Sequence, residues 1–124
     1  AAARPFDGLG EFADELAETL TELEATTAEL IKVRDAGEVT LFLANASIYL
    51  DTFGHIVIAW IWLMQAIVAA PKADAGSTAE QNFYRGKLHA CRYFYRYELN
   101  KVPERLSLLS QADDTCLSMN EAWF

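Results

Sequence analysis

Between Thr40 and Ala70 the chain reads TLFLANASIYLDTFGHIVIAWIWLMQAIVAA, its most apolar stretch, free of proline and holding two of its three tryptophans. Apolar residues there surround most of a helix instead of forming one stripe, the pattern of a helix buried on several sides, in a protein core or in a bilayer. The uncharged part between His55 and Lys72 is only 16 residues long, short of the roughly 20 that a membrane crossing needs. Asn45, Asp51 and His55 lie just upstream and are costly at membrane depth. The stretch therefore reads as the central helix of a soluble bundle, with no membrane span.

A chain of 124 residues fits one domain and buries about two thirds of its unfolded surface without a disulfide or metal staple. The formal net charge of -8 is unevenly placed. Asp7, Glu11, Asp14, Glu15, Glu18, Glu22, Glu24 and Glu29 fall in a run with no Lys or Arg, whereas acids and bases nearly balance from Lys32 onward. Such a chain repels phosphate backbones, which argues against a nucleic-acid partner. Cys91 and Cys116 form no CxxC and no secreted framework, and a reducing, cytoplasmic setting is expected. Residues 1–6 are expected to be an expression remnant or a linker, with one domain over 7–124.

The flanks of the central stretch are also helical by pattern. From Phe6 to Asp35, Leu9, Ala13, Leu16, Leu20, Leu23, Thr27 and Leu30 step by fours and threes along one narrow face. Asp7 suits the N-cap, Lys32 and Arg34 suit the far end of the dipole, and Ala36-Gly37 supplies the stop. Pro71 ends the central helix. A third segment starts at Ser77 or Thr78, with Glu80 placed for a capping box if Ser77 is the cap. Tyr84, Leu88, Cys91, Tyr95, Leu99, Val102, Leu106 and Leu109 form its core face. Pro103 interrupts it without changing the phase, so a kink or short break is expected before an end near Ala112. The tail, Asp113 to Phe124, has the apolar content to dock on the bundle as a helical turn or two. The sum is an all-α, up-down bundle of three long helices plus a short C-terminal helical turn.

Chemistry-bearing residues are few. Asp51 and His55 share a helix face at a spacing that suits a metal or an acid–base pair, but no further motif completes a ligand set, and a structural polar seam is the favoured reading. Arg85, His89, Arg92 and Arg96 make a basic stripe that could hold an anionic group; pairing with the acidic first helix, or plain solvation, is favoured instead. Tyr93, Phe94, Tyr95 and Tyr97 face several directions, most of them into the core, and Trp60 and Trp62 diverge, so that at least one can face a partner. Cys91 reads as an inert core thiol, and nothing basic marks Cys116 as a nucleophile. No Gly-rich phosphate loop, hydrolase triad or zinc signature is present.

The run Leu43-Ala44-Asn45-Ala46-Ser47-Ile48-Tyr49-Leu50, followed by Phe53-Gly54 and Ala59-Trp60, resembles the extra C-terminal domain of long acyl-CoA dehydrogenases, the 3-methylmercaptopropionyl-CoA dehydrogenase-like group. Phe83-Tyr84, Lys87-Leu88 and Ala90-Cys91-Arg92-Tyr93-Phe94 resemble a second stretch of that domain, and Leu117 to Phe124 resembles its close. The likeness runs from about Asp7 almost to the end and rests on the order and spacing of motifs that are individually weak. It implies a fragment of an enzyme that oxidises an acyl-CoA to an enoyl-CoA, with FAD and the catalytic glutamate in a preceding core absent here. No catalytic, cofactor-binding or metal residue carries over. The implied partners are that core, the acyl-CoA, an electron-transfer flavoprotein and further copies in a homo-oligomer. Asn45, Tyr49, Phe53, Gly54 and Trp60 become candidate interface or packing positions, with Gly54 allowing close helix approach. A stand-alone interaction module, or a bundle holding a small ligand or metal, are the rival readings.

Overall fold

The computed structural model describes residues 8–124. Asp7, the expected cap, lies outside them, and the N-cap position of the first helix is Gly8. The chain forms α1 (Leu9–Asp35), α2 (Val39–Leu43), α3 (Ala46–Ala69), α4 (Thr78–Tyr97) and α5 (Val102–Ser110), with 3₁₀ turns at Ala70–Lys72, Leu99–Lys101 and Glu121–Trp123. No strand occurs among the described residues. Glu11 early in α1 meets Arg96 late in α4, and Leu30 shares a pocket wall with Leu109 of α5. The α4–α5 rod thus runs the same way as α1. His55 early in α3 meets Glu98, while Val68 and Ala69 line a groove with Phe83 and Tyr84. α3 is therefore antiparallel to that rod, and it packs on α1, α4 and α5. The up-down architecture expected from the apolar periodicities is present.

Local chemistry explains most boundaries. Gly37, at φ +92°, lets α1 stop by turning its N–H back to the Arg34 carbonyl, a backbone conformation that glycine adopts without a steric cost. Ser77 and Glu80 close a reciprocal capping box at the start of α4. Pro103 sits in the first turn of α5, where its missing N–H costs nothing. The break before it is the 3₁₀ turn at Leu99–Lys101.

The core joins Leu9, Phe12, Leu16 and Leu23 of α1 to Ile56, Ala59, Leu63 and Ala66 of α3, and to Cys91, Tyr95, Leu99, Val102, Leu106 and Leu109 of the rod. Several expectations are corrected by it. On α1 the buried seam runs through Thr19 and Thr26, while Leu20 is 42% exposed. Thr19 returns its hydroxyl to the Glu15 carbonyl at 2.8 Å, so its burial leaves no unpaired donor. The central stretch is not one helix. It breaks at Ala44–Asn45, where Asn45 Nδ2 donates to the Asp113 carbonyl at 2.8 Å and draws the start of α3 against the chain beyond α5. Nor is α3 buried on several sides: only the stripe Thr52, Ile56, Ala59, Leu63, Ala66, Ala69 is closed off. The tail does not dock. Asn120 Oδ1 caps its 3₁₀ turn, yet Leu117, Met119, Trp123 and Phe124 stay exposed, Phe124 at 95%.

Candidate functional site

α3 carries two apolar stripes. The first is the buried one. The second, Leu50, Phe53, Val57, Ile61, Met64 and Val68, steps by threes and fours along nearly the opposite side, with Trp60 beside it. Apart from half-buried Val57 these residues are exposed, Trp60 at 55% and Val68 at 57%. Phe83 on α4 is exposed beside them. Trp60, Ile61, Met64, Val68, Phe83 and Tyr84 wall a groove of about 530 Å³, and Lys87 stands at its edge with its ammonium 5.5 Å from the Phe83 ring centre. A contiguous apolar face of this kind on a small domain is the mark of an interaction surface. Ala46–Lys72 is also long and apolar enough to cross a membrane by length and composition.

Of the residues singled out by sequence, Phe53 and Trp60 lie on this face. Asn45 and Tyr49 do not; Asn45 bonds the Asp113 carbonyl beyond α5, and Tyr49 joins α3 to α1 through the Thr27 hydroxyl. Thr27 gives its proton to the Leu23 carbonyl, so in the 2.8 Å contact between the two hydroxyls Tyr49 is the donor. Gly54 is corrected: a Cβ built there meets nothing within 4 Å, so it serves no close approach among the described residues. Trp62 is half-buried against the core while Trp60 faces outward. The aromatic cluster divides evenly, not mostly inward. Tyr95 and Phe94 pack in the core, whereas Tyr93 and Tyr97 stack on each other outside it, ring centres 4.8 Å apart.

Asp51 and His55 belong to a polar seam between α3 and the α4–α5 junction. Asp51 pairs with Arg105, His55 Nδ1 contacts the Asp51 carbonyl at 2.9 Å, and His55 Nε2 lies 3.6 Å from Glu98. Lys101 reaches the same Glu98 carboxylate at 2.8 Å. That hydrogen bond, with the nearby positive charges, holds Glu98 below the ordinary carboxylate range. Among the described residues no group of three or more His, Cys, Asp or Glu is placed to hold a metal ion.

The basic stripe is partly spent within the chain. Arg85 pairs with Asp74 at 2.9 Å, and Arg96 approaches Glu11 at 3.8 Å and covers the Phe12 ring. His89 and Arg92 line a groove of about 460 Å³ with Gly8 and Leu9. At the start of α4 the Glu80 carboxylate accepts from the Ser77 N–H at 2.9 Å, so that helix end is capped from within the chain. Cys91 is fully buried and Cys116 exposed.

Sequence reasoning missed Leu50, Ile61, Met64, Val68 and Phe83 as surface residues, and Arg105 as the partner of Asp51. The signal was there in the first case: an apolar helix with two stripes in the same period has one more face than a three-helix bundle closes. Arg105 left no trace, because its pairing with Asp51 is long-range.

A family model described as "Acetyl-CoA dehydrogenase C-terminal like" matches residues 1–120. The broad-specificity linear acyl-CoA dehydrogenase FadE5 of Mycobacterium tuberculosis (strain ATCC 25618 / H37Rv) is 30% identical over 77 residues, which are 61% of this chain and only 13% of that relative. No solved structure matches.

Proposed function

The chain belongs to the acetyl-CoA dehydrogenase C-terminal-like family, and from that premise we propose that it is the terminal helical domain of an FAD-dependent enzyme that oxidises an acyl-CoA to an enoyl-CoA. Its part is to pack on the catalytic core through the outer stripe of α3, closing or shaping the acyl-CoA cleft or joining copies in an oligomer. It performs no catalysis itself. FAD, the acyl-CoA and the contact with an electron-transfer flavoprotein belong to the core, in a cytoplasmic, reducing setting.

The observation that carries this reading is the outward apolar face that runs through Phe53, Trp60, Met64 and Val68. A helix that needs only one stripe for its own bundle has kept a second, and the share of the relative that the chain covers leaves ample protein to cover it. Insertion into lipid is disfavoured by the seam, since Asp51 and His55 on the same helix are engaged with Arg105 and Glu98 of the rod.

Absorption spectra of the intact gene product and of the 124-residue chain test the proposal. Bound flavin is expected in the first and none in the second. An intact gene product of about the mass of this chain, 13.9 kDa, or a longer one without flavin, defeats the reading.

A further inference from the structure

A second apolar cavity lies at the other end of the molecule from the Trp60 groove, where the end of α1, α2, the start of α3 and the end of α5 converge. Its volume is about 300 Å³, and it opens to solvent beside the exposed Ile31, Leu43 and Ala46. Leu30, Leu41, Phe42 and Leu109 supply apolar wall, and no carboxylate lines it. Thr27, Arg34, Asn45 and Tyr49 are the polar residues of the lining, and the Asn45 Nδ2 donates to the Asp113 carbonyl at 2.8 Å.

α2 is the telling element. Five residues, Val-Thr-Leu-Phe-Leu, form a helical turn in which none is buried. Leu41, Phe42 and Leu43 lie against the cavity without filling it. The polar groups in the wall then decide what kind of molecule fits. Tyr49 spends its proton on Thr27, so neither hydroxyl offers a donor to a guest. Arg34 is the one charged residue in the lining. Its bonds go from Nε and Nη2 to Asp35 on the exposed surface, a pair weak enough for another anion to displace.

We propose that this cavity binds an aliphatic monocarboxylate, with the alkyl chain under α2 and the carboxylate on the Arg34 guanidinium. Shape and polarity suit a chain; the single cation suits one anionic end. The site is separate from the outer stripe of α3 and does not depend on the dehydrogenase reading, because every wall is supplied by this chain.

The test is photolabelling of the intact gene product with decanoic acid carrying a terminal diazirine, with labelled peptides read by mass spectrometry. Label is expected on the peptide from Val39 to Tyr49 and beside Leu109, and excess decanoate should compete better than decanol. Arg34→Gln should weaken competition by decanoate about tenfold and leave that by decanol unchanged. Ala46→Phe, at a solvent-edge position of the wall, should abolish the label; should this variant fail to fold by circular dichroism, Arg34→Gln alone decides. Label confined to other peptides, label indifferent to both substitutions, or equal competition by acid and alcohol would each overturn the proposal. A flavin-free gene product that still labels at these peptides would sink the dehydrogenase reading and leave this one standing.

Discussion

Tyr95 shows how much one side chain can do here. It is 0% exposed, stacks on Phe12 with ring centres 4.5 Å apart, and donates its hydroxyl to the Ala59 carbonyl at 3.2 Å. One residue thus joins α1, α3 and α4. Tyr95→Phe keeps the stacking and should lose about 1 kcal/mol of stability in urea unfolding; Tyr95→Ala should lose about 3–5 kcal/mol. Beside it, burial pushes the Cys91 thiol from an ordinary 9.0 up to about 11. The unfolded chain therefore releases this proton first. Stability from this source is whole below pH 9 and falls as the pH climbs toward 11, a slope that Cys91→Ala should reduce in pH-dependent thermal melts. At pH 8 a thiol reagent should titrate one cysteine quickly, Cys116, and reach Cys91 only on unfolding. The apolar face of Cys91 and Tyr95 is legible in sequence from its spacing. The seam of α1 is misread for a physical reason. Leu20 outranks Thr19 in hydrophobicity, but a threonine that bonds back to its own helix can be buried, and periodicity cannot see that bond.

At the scale of elements, short-range chemistry is the readable part. Ser77-x-x-Glu80 announces the start of α4, and the box forms. Ser77→Ala should cost about 1 kcal/mol. The Ser77 hydrogen bonds hold Glu80 below its ordinary range. Their contribution is thus present above the carboxylate's unfolded pKa and lost as the pH falls through the lowered folded value; the substitution removes the hydroxyl's bond and keeps the larger effect of the Ser77 N–H, so it should flatten the acid limb of the stability profile only in part. The break ahead of α3 is not readable in the same way. Leu-Ala-Asn-Ala-Ser is compatible with continuous helix, and the contact made at the break is a bond to a carbonyl 68 residues away. The tail fails for the converse reason. Its apolar residues suggest docking, yet the helices close their core without it.

For the whole molecule, the all-α up-down architecture was legible because each long helix carries its own period. The depth at which the central helix sits was not, because apolar residues on all sides look alike whether the cover comes from this chain or from another protein surface. The consequence is testable by comparison. Trp60→Ser with Met64→Ser removes surface that this chain leaves exposed, so the melting of the 124-residue chain should change by no more than about 0.5 kcal/mol per site. In the intact gene product the same pair should lower the melting temperature or release the domain to limited proteolysis. Equal, negligible effects in both settings would mean that the outer stripe of α3 is not what joins the domain to its core.

The Asn45–Asp113 bond has a kinetic meaning as well. It connects the start of α3 to the chain after α5, so it can close only when the helices between them have already been gathered, late on the route to the native state. A contact absent from the transition state governs escape rather than arrival. Asn45→Ala should therefore leave the refolding limb of a denaturant chevron where it is and raise the unfolding limb, making the clasp a determinant of how long the native bundle lasts rather than of how quickly it forms.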